Sequence, residues 1–125
     1  MPKLTLQRIP FSKNADLQMR RLKGKTGITP NHLSRLGFCL SLEEPGIPEA
    51  YLRIKEQGRE INRFTLLGEN DIAFISLLKV WMYENSLNTN IAEEIDNYFI
   101  AHMNRGIELM ASRVKGLTDI AKLAA

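Results

Sequence analysis

The sequence is poor in the features that mark secreted, disulfide-bonded and membrane proteins. It has one cysteine in 125 residues, Cys39, which excludes an internal disulfide framework and makes a reducing compartment the expectation. Its most apolar run, residues 72–82, is too short for a membrane span and is interrupted by Lys79. Because the first ten residues also lack the unbroken apolar core of a signal peptide, we expect a cytoplasmic protein with no membrane partner.

Residue patterns for catalysis and for metal or cofactor binding are equally scarce. The two histidines, His32 and His102, are far apart without a cysteine or acid at ligand spacing, and His102 is predicted to be an ordinary helix residue. The string G-K-T-G at 24–27 lacks the upstream glycine of a phosphate-binding loop. Cys39 stands in a leucine-rich segment, where a buried, inert thiol is expected. The sequence therefore predicts no catalytic residue, no metal and no cofactor, and a protein that is not an enzyme.

What the sequence does have is an uneven distribution of charge. The net charge is +3, but residues 1–40 alone carry a net +7, because eight basic residues stand against one acid, Asp16. The other nine basic residues are outnumbered by thirteen acids, which gives the rest of the chain a net −4. One basic end on a small protein favours a polyanionic partner there, although a solvated helix face with scattered basic residues is the alternative. The eight are Lys3, Arg8, Lys13, Arg20, Arg21, Lys23, Lys25 and Arg35.

The N-terminal third predicts a strand followed by two helices. Residues 3–10 alternate apolar and polar side chains, as in a strand that the final proline ends. Ser12 is a good N-cap for a first helix, and Gly27 stands where a C-terminal glycine cap is expected. Spacings of four and three residues predict one apolar face for this helix, formed by Ala15, Met19 and Leu22. Thr29-Pro30 then opens a second helix, within which Gly37 permits the close approach of another helix.

The remainder of the chain is predicted to be helical after an irregular connector. Residues 45–69 are rich in proline and glycine, and 63–67 is interpreted as a short strand. A strongly apolar helix begins near residue 70 and is either a central core helix or an oligomer contact, because it is apolar over most of its circumference. Asn90 has capping-box spacing and opens a long helix that is predicted to continue to Val114, with a glycine as its weak point.

We therefore expect a mainly α fold in a single domain that spans all 125 residues. Residues 1–44 would form a ribbon-helix-helix-like strand–helix–helix unit, 45–69 a connector, and 70–125 a C-terminal helical bundle that holds an oligomer. In a ribbon-helix-helix module two copies pair their strands, and amides at the start of the second helix meet a phosphate, a place that Thr29 and Asn31 would fill here. A lone strand needs a partner, either in the same chain or in a second copy.

Four strings along the chain carry a resemblance to a known family. They are R-R-L-K-G-K-T-G-I-T-P-N (20–31), L-S-L-E-E-P-G-I-P (40–48), R-F-T-L-L-G-E (63–69) and H-M-N-R-G-I (102–107). In this order and spacing they resemble the DndE family, and the resemblance extends over residues 4–117. That family belongs to the DNA phosphorothioation system, in which sulfur replaces a non-bridging oxygen of the backbone phosphate.

The resemblance implies a small helical protein that acts beside larger partners, namely a cysteine desulfurase, an iron–sulfur protein and an ATPase. It also implies a homo-oligomer, a tetramer, that binds DNA through surface lysines and prefers nicked duplex. The lysines at hand for that role are Lys3, Lys13, Lys23 and Lys25. The lack of a cysteine cluster agrees with a non-catalytic member, since one cysteine cannot hold an iron–sulfur cluster.

Our hypothesis from the sequence is a non-catalytic DNA-binding accessory protein that neutralises backbone phosphates without reading bases. A nick would help because a broken strand bends more readily onto a curved basic surface. The candidate DNA-binding residues are Lys3, Arg8, Lys13, Arg20, Arg21, Lys23, Lys25, Thr29 and Asn31.

Three alternatives stay open at this point. An assembly scaffold of the modification complex would use the basic end to meet an acidic protein instead of DNA. A ribbon-helix-helix transcription regulator would read an operator with strand residues such as Thr5, Gln7 and Arg8. A nicking nuclease has the least support, because the sequence contains no visible acidic metal cluster.

Overall fold

The fold is mainly helical, with a strand–helix–helix unit at its N-terminal end and helices after it, as the sequence predicted. The computed structural model describes residues 3–124. Two short 3₁₀ turns, Glu49–Tyr51 and Gly68–Asn70, lie between longer elements. In chain order these elements are β1 (Arg8–Ser12), α1 (Lys13–Thr26), α2 (Pro30–Glu43), β2 (Gln57–Asn62), α3 (Arg63–Leu67), α4 (Asp71–Glu84), α5 (Ala92–Arg113) and α6 (Leu117–Ala124).

Helix α5 is the centre of the core. Every residue from 101 to 107 is buried, including the polar His102, Asn104 and Arg105. A continuous cluster of buried apolar side chains surrounds this stretch, with members from β1 and from helices α1 to α5. Acids in the first turn of α5 and an arginine in its last turn interact favourably with the helix dipole. The predicted cap, Asn90, is wrong by one residue: the N-cap is Ile91, and it makes no side-chain capping bond.

Helices α2 and α5 touch backbone to backbone at a pair of glycines. A Cβ atom added to Gly106 would lie 2.2 Å from the carbonyl carbon and oxygen of Gly37. One added to Gly37 would lie 2.8 Å from the carbonyl carbon of Gly106. Distances this short leave no room for a side chain at either position. The predicted role of Gly37 is confirmed, while Gly106, predicted as a weak point, is a packing site in an unbroken helix.

A buried polar network joins α5 to the end of α2. Arg105 donates from Nε to the Ser41 hydroxyl (2.8 Å), from Nη2 to the Ser41 carbonyl (2.6 Å) and from Nη1 to the Gly46 carbonyl (3.0 Å). These bonds satisfy carbonyls at and beyond the C-terminal end of α2. Burial lowers the pKa of Arg105, an effect that the charge of Glu44 opposes. A guanidinium keeps its proton in proteins, so the network holds a buried cation.

His102 belongs to this network and is not the ordinary helix residue that we expected. Its Nδ1 lies 2.8 Å from the Ser41 hydroxyl oxygen, which has no other acceptor among the described residues. Because Arg105 only donates, the Ser41 hydrogen goes to Nδ1, and Nε2 carries the ring proton. The ring stands nearly perpendicular to Trp81 with centroids 4.2 Å apart, which suits an N–H···π contact for the otherwise unpartnered Nε2. Burial and the Arg105 charge lower the pKa of His102 to about 3, so the ring is neutral.

The two strands form an antiparallel pair within the chain. Ile9 lies opposite Ile61, and a shift in register follows before Ser12, which lies opposite Gln57. The backbone groups of β1 that needed a partner therefore find it in β2, some fifty residues later in the same chain. Pairing with a second copy is not needed to satisfy this edge of the strand.

The predicted bounds of the first strand, residues 3–10, are wrong, since β1 runs from Arg8 to Ser12. The segment before it is held by a side chain: Arg63 donates from Nη1 to the carbonyls of Leu4 (2.8 Å) and Leu6 (3.2 Å). The same guanidinium also forms a two-pronged salt bridge with Asp71, with both distances 2.8 Å. Alternation in sequence does not distinguish this arginine-bound segment from a strand.

Residues 63–67, interpreted from sequence as a short strand, form the helix α3. The side-chain oxygen of Asn62 caps this helix by accepting from the amides of Phe64 (2.9 Å) and Thr65 (3.3 Å). At its other end, Arg35 donates from Nε to the Leu66 carbonyl (2.5 Å). The strand of this region lies just before it, in β2, and the capping asparagine marks the boundary.

Helix α4 packs one side against the core and presents apolar side chains on its other side. Trp81 is buried, but Ile72, Leu77, Val80 and Tyr83 are exposed, with Tyr83 at 80% of its full accessibility. The central core helix is α5, so of the two roles predicted for α4 only the oligomer contact stays a prediction. No helix in residues 3–124 combines the length and the apolar character needed to cross a membrane.

The glycine contact predicts opposite effects of one substitution at two sites. Gly106→Ala forces α2 and α5 apart and lowers the free energy of unfolding by about 3 kcal/mol or more, because the added methyl meets backbone atoms. Gly24→Ala on the exposed side of α1 has open space and raises it by about 0.5–1 kcal/mol, through lower entropy of the unfolded chain. Urea unfolding of both variants at one protein concentration measures the difference. Equal stability of the two variants would contradict the contact.

The buried neutral imidazole predicts a pH dependence of stability. The pKa of His102 is about 3 in the folded chain and near its ordinary 6.5 in the unfolded chain, so the unfolded state binds more protons between these values. The His102 contribution therefore falls as pH falls below 6.5, by roughly 1.5 kcal/mol between pH 6.5 and 5. A His102→Gln variant, compared with wild type by urea unfolding at several pH values, should lack this part of the slope. Identical slopes would show that the ring is not held neutral.

Candidate nucleic-acid interface

The basic residues of the N-terminal third lie mostly on the solvent face of α1. Ser12 begins the helix as predicted, by accepting from the Ala15 amide (3.1 Å). The predicted apolar face is also confirmed, because Ala15, Met19 and Leu22 are buried. Burial of this face leaves the basic residues of α1, together with Leu17, on the exposed side.

The last turn of α1 is joined to the first turn of α2 by a tight connection of three residues. Gly27 adopts a left-handed conformation (φ 76°), and its amide donates to the Lys23 carbonyl (2.8 Å), which is the glycine cap that the sequence predicted. Pro30 is at the first helical position of α2, also as predicted. Because the connection is so short, Lys23 and Lys25 are close in the chain to the amides that begin α2.

The residues expected to meet a phosphate at the start of α2 are only partly free. Thr29 is the N-cap but makes no side-chain capping bond, and its hydroxyl lies 2.8 Å from Nδ1 of the exposed His32. Asn31 is half-buried in the first turn. The helix begins where the sequence placed it, but the Thr29 hydroxyl is engaged with a neighbouring ring instead of capping an amide.

The exposed cations of α1 differ in whether an acid already neutralises them. Arg21, Lys23 and Lys25 are exposed and have no acidic partner among residues 3–124. We name these three the α1 basic end. Lys13 pairs with Glu56 at 3.7 Å, but both side chains are highly exposed, and such pairs contribute little. Arg8 has a comparable exposed pair with Glu60, at 3.1 Å.

Two of the basic residues counted in the sequence lie outside this surface. Arg35 is bound to carbonyls of α3 and has a structural role. Lys3 is next to Thr5, which donates to Asp96 near the start of α5. Gln18 of α1, in contrast, lines the same pocket as Ser112, near the end of α5. These points of α5 are roughly 24 Å apart at about 1.5 Å per residue. The structure therefore does not bring Lys3 together with the α1 basic end.

The acid of the N-terminal third, Asp16, is the centre of a cluster that includes a residue missed by sequence reasoning. Its Oδ1 accepts from Nε of Arg59 (2.8 Å) and lies 3.3 Å from Nε of Arg20, and its Oδ2 accepts from the Arg59 amide (3.2 Å). Burial acts to raise the pKa of Asp16, but the hydrogen bond and charge of Arg59 and the charge of Arg20 outweigh it, and the pKa is lowered. No local signal marks Arg59, because it reaches α1 through the pairing of β2 with β1.

Residues that bear on other kinds of chemistry lie apart from this surface. Cys39 is exposed, so the prediction of a buried thiol is wrong; partial desolvation and the charge of Glu43 raise its pKa. The thiol borders an apolar groove of about 110 Å³ between α2 and α6, which Leu36 and Ile120 also line. Within residues 3–124 no three histidine, cysteine or acidic side chains come together as a metal site.

Sequence and three-dimensional structure both match one family of proteins. The family model for DNA sulphur modification protein DndE matches residues 8–117. The chain belongs to the DndE family. No curated protein matches it.

Two solved DndE structures are similar to this DndE-family chain. The crystal structure of DndE from Escherichia coli B7A, involved in DNA phosphorothioation modification, shares 28% identity and covers 86% of this chain and 99% of its own, with a TM-score of 0.67. A crystal structure of a doubly substituted DndE mutant, involved in DNA phosphorothioation, shares 25% identity and covers 88% and 99%, with a TM-score of 0.65. The resemblance drawn from four sequence strings is thereby confirmed, and with it a context in DNA sulfur modification.

The structure gives most of the four DndE-like strings a role in the fold. String 102–107 is the buried stretch of α5, and Arg105 binds it to the string 40–48 through Ser41 and Gly46. String 63–69 contains α3 and the arginine that holds the N-terminal segment. Only the string 20–31 lies on the exposed basic surface, which makes it the candidate for contact with a partner.

Proposed function

We propose that this DndE-family protein is a non-catalytic DNA-binding accessory of DNA backbone sulfur modification. The observation that carries the proposal is the α1 basic end, Arg21, Lys23 and Lys25: three exposed cations within the last two turns of the helix, with no acidic partner among the described residues. Unpaired exposed cations are drawn to a polyanion because binding releases its condensed counterions. DNA is the polyanion on which this family's system acts.

The contact we propose is with phosphates and not with base edges. Lys13 and Arg8 supplement the α1 basic end, since an exposed ion pair is readily exchanged for a phosphate contact. Arg20 adds a third cation, because its own side chain is exposed even though its partner Asp16 is not. Thr29 and Asn31 stand at the start of α2, where backbone amides favour an anion. Such contacts give affinity and orientation without sequence preference. A nicked duplex would bind more tightly than an intact one because it bends at lower cost onto the surface.

The exposed apolar side of α4 supports self-association, for which a tetramer is our specific proposal. Ile72, Leu77, Val80 and Tyr83 form an exposed apolar stripe, a feature that is typical of protein–protein contacts. Repetition of the basic end in several copies would raise the avidity for DNA. The sulfur-transfer partners, a cysteine desulfurase, an iron–sulfur protein and an ATPase, would dock on the same assembly.

The alternative candidate is a scaffold whose basic end meets an acidic protein partner. Reversal of charge at Arg21, Lys23 and Lys25 separates the two: loss of partner binding with normal DNA binding favours the scaffold. An operator-binding regulator of the ribbon-helix-helix type has less support, because β1 pairs with β2 of its own chain.

The DNA proposal predicts a matched pair of charge effects. Changing Lys23 and Lys25 to Gln weakens binding to nicked duplex about tenfold, or 1.4 kcal/mol, because two phosphate contacts are lost. It also lowers the slope of log affinity against log salt by about 2, at about 0.9 per phosphate. Changing Lys115 and Lys122 to Gln removes the same charge from the other end of the chain and leaves affinity nearly unchanged. Fluorescence anisotropy over a range of salt measures both.

A wild-type affinity that does not change between about 50 and 200 mM salt would end the phosphate-contact proposal. So would equal losses in the two double variants, since that result reports net charge and not a localised surface.

The oligomer proposal predicts that α4 controls particle mass. Val80→Lys together with Tyr83→Lys places two like charges on the apolar stripe and should reduce the mass measured by light scattering. Because both side chains are exposed in one chain, circular dichroism should report unchanged helix content. Leu117→Lys, at an equally exposed apolar residue of α6, serves as the control and should leave the mass unchanged. An unaltered mass in the α4 variant would exclude this face as the interface.

A further inference from the structure

Asp16 is an acid that lies between two basic side chains of the exposed surface. Its side chain is only 13% exposed, and it contacts two arginines from different elements, Arg20 of α1 and Arg59 of β2. Gly58 lets β2 lie this close, because a Cβ atom there would be 2.7 Å from the Asp16 Cβ. Close backbone packing and three contacts to one carboxylate indicate a built arrangement and not a chance surface pair.

The geometry leaves the outer ends of both arginines free. Arg20 and Arg59 each approach Asp16 through Nε, and their Nη groups make no hydrogen bond to any residue in 3–124. Asp16, Arg20 and Lys23 are four and three residues apart on α1, so they share one side of the helix, next to β2. An open groove along this side is lined by Lys13 and Arg20 from α1 and by Gly58 from β2. Two cations, Lys13 and Arg20, therefore line this groove, and Asp16, which also lines it, contacts both Arg20 and Arg59.

We propose that Asp16 is a positioning residue that holds Arg20 and Arg59 as a clamp for one backbone phosphate of DNA. This inference rests on the proposed function and adds to it a contact residue, Arg59, that no sequence pattern indicates. A guanidinium bound at Nε keeps its Nη donors available for a phosphate oxygen, and planar donor pairs suit phosphate geometry. Positioning both side chains before binding reduces the conformational entropy that each would otherwise lose on contact.

The proposed clamp predicts a change in DNA affinity opposite to the one expected from net charge alone. Removal of an acid from a DNA-binding surface should tighten binding, because the acid repels phosphate. Asp16→Asn should instead weaken binding to nicked duplex about fivefold, since the loss of two positioned arginines outweighs the lost repulsion. Glu56→Gln, which removes an acid from the exposed pair with Lys13 at the same groove, is the matched control and should bind equally or more tightly. Tighter binding by Asp16→Asn as well would overturn the proposal.

A second variant, which lacks both arginines, distinguishes a positioning role of Asp16 from a general effect on stability. When Arg20 and Arg59 are both changed to Gln, the clamp is absent and only the repulsion of Asp16 remains. Addition of Asp16→Asn to that background should then tighten binding. Weakening in both backgrounds would mean that Asp16 acts through stability alone, and the clamp would be rejected. Thermal unfolding of every variant sets an assay temperature at which all are folded.

Arg59→Lys tests the clamp without removing charge or depending on Asp16→Asn. Lysine lacks the Nε contact and the planar donor pair, so affinity should fall about as far as in Asp16→Asn. Unchanged affinity would show that only the positive charge of Arg59 matters and would overturn the proposal. The proposed function is tested separately by the double variant at Lys23 and Lys25. If that variant binds DNA more weakly while the Asp16 and Arg59 variants bind normally, only the clamp fails. If wild type does not bind DNA at all, both fail.

Discussion

The direct backbone contact of α2 and α5 at Gly37 and Gly106 is the constraint on which the rest of this structure depends. Because no side chain separates the two helices there, residues one turn away are also unusually close. Ser41, one turn after Gly37, therefore comes within hydrogen-bonding distance of His102 and Arg105. Between helices packed at an ordinary distance, a side chain as short as serine would not reach them. The polar network is a consequence of the glycine contact.

That network is costly to bury and therefore has to be complete. An unpaired buried cation or imidazole would cost several times what one hydrogen bond contributes. Arg105 uses three nitrogens on two residues, and His102 is kept neutral by burial between Ser41 and Trp81. Since these partners come from α2, α4 and the loop after α2, the network defines how three parts of the chain meet α5.

The same central helix positions the basic surface. The Asn104 side chain accepts from the Ser12 amide (2.9 Å) and donates to the Pro10 carbonyl (3.3 Å), which fixes the start of α1. The far end of α1 is tied to α2 by the short connection at Gly27. With both ends fixed, the exposed cations of α1 have defined positions, and charge on a fixed helix binds a polyanion at lower entropic cost than charge on a flexible tail.

The sequence by itself determined what depends on neighbours in the chain. The Ser12 cap, the Gly27 cap and the apolar face of α1 follow from spacing and intrinsic preference, and all were predicted. The family could also be identified from the sequence, because the strings that mark it are contiguous along the chain. The sequence did not determine whether residues 63–67 form a helix or a strand, since the cap at Asn62 and the distant Arg35 decide it.

Only the tertiary structure decided which polar residues are buried, which apolar residues stay exposed and which cations have partners. His102 is in the core, Cys39 is exposed and Arg59 lies beside Asp16. Each outcome depends on a residue more than forty positions away or on the face by which a helix packs, and no local pattern carries that information. Helix α4 illustrates the reason: a helix that is apolar over most of its circumference does not specify which side will meet the core.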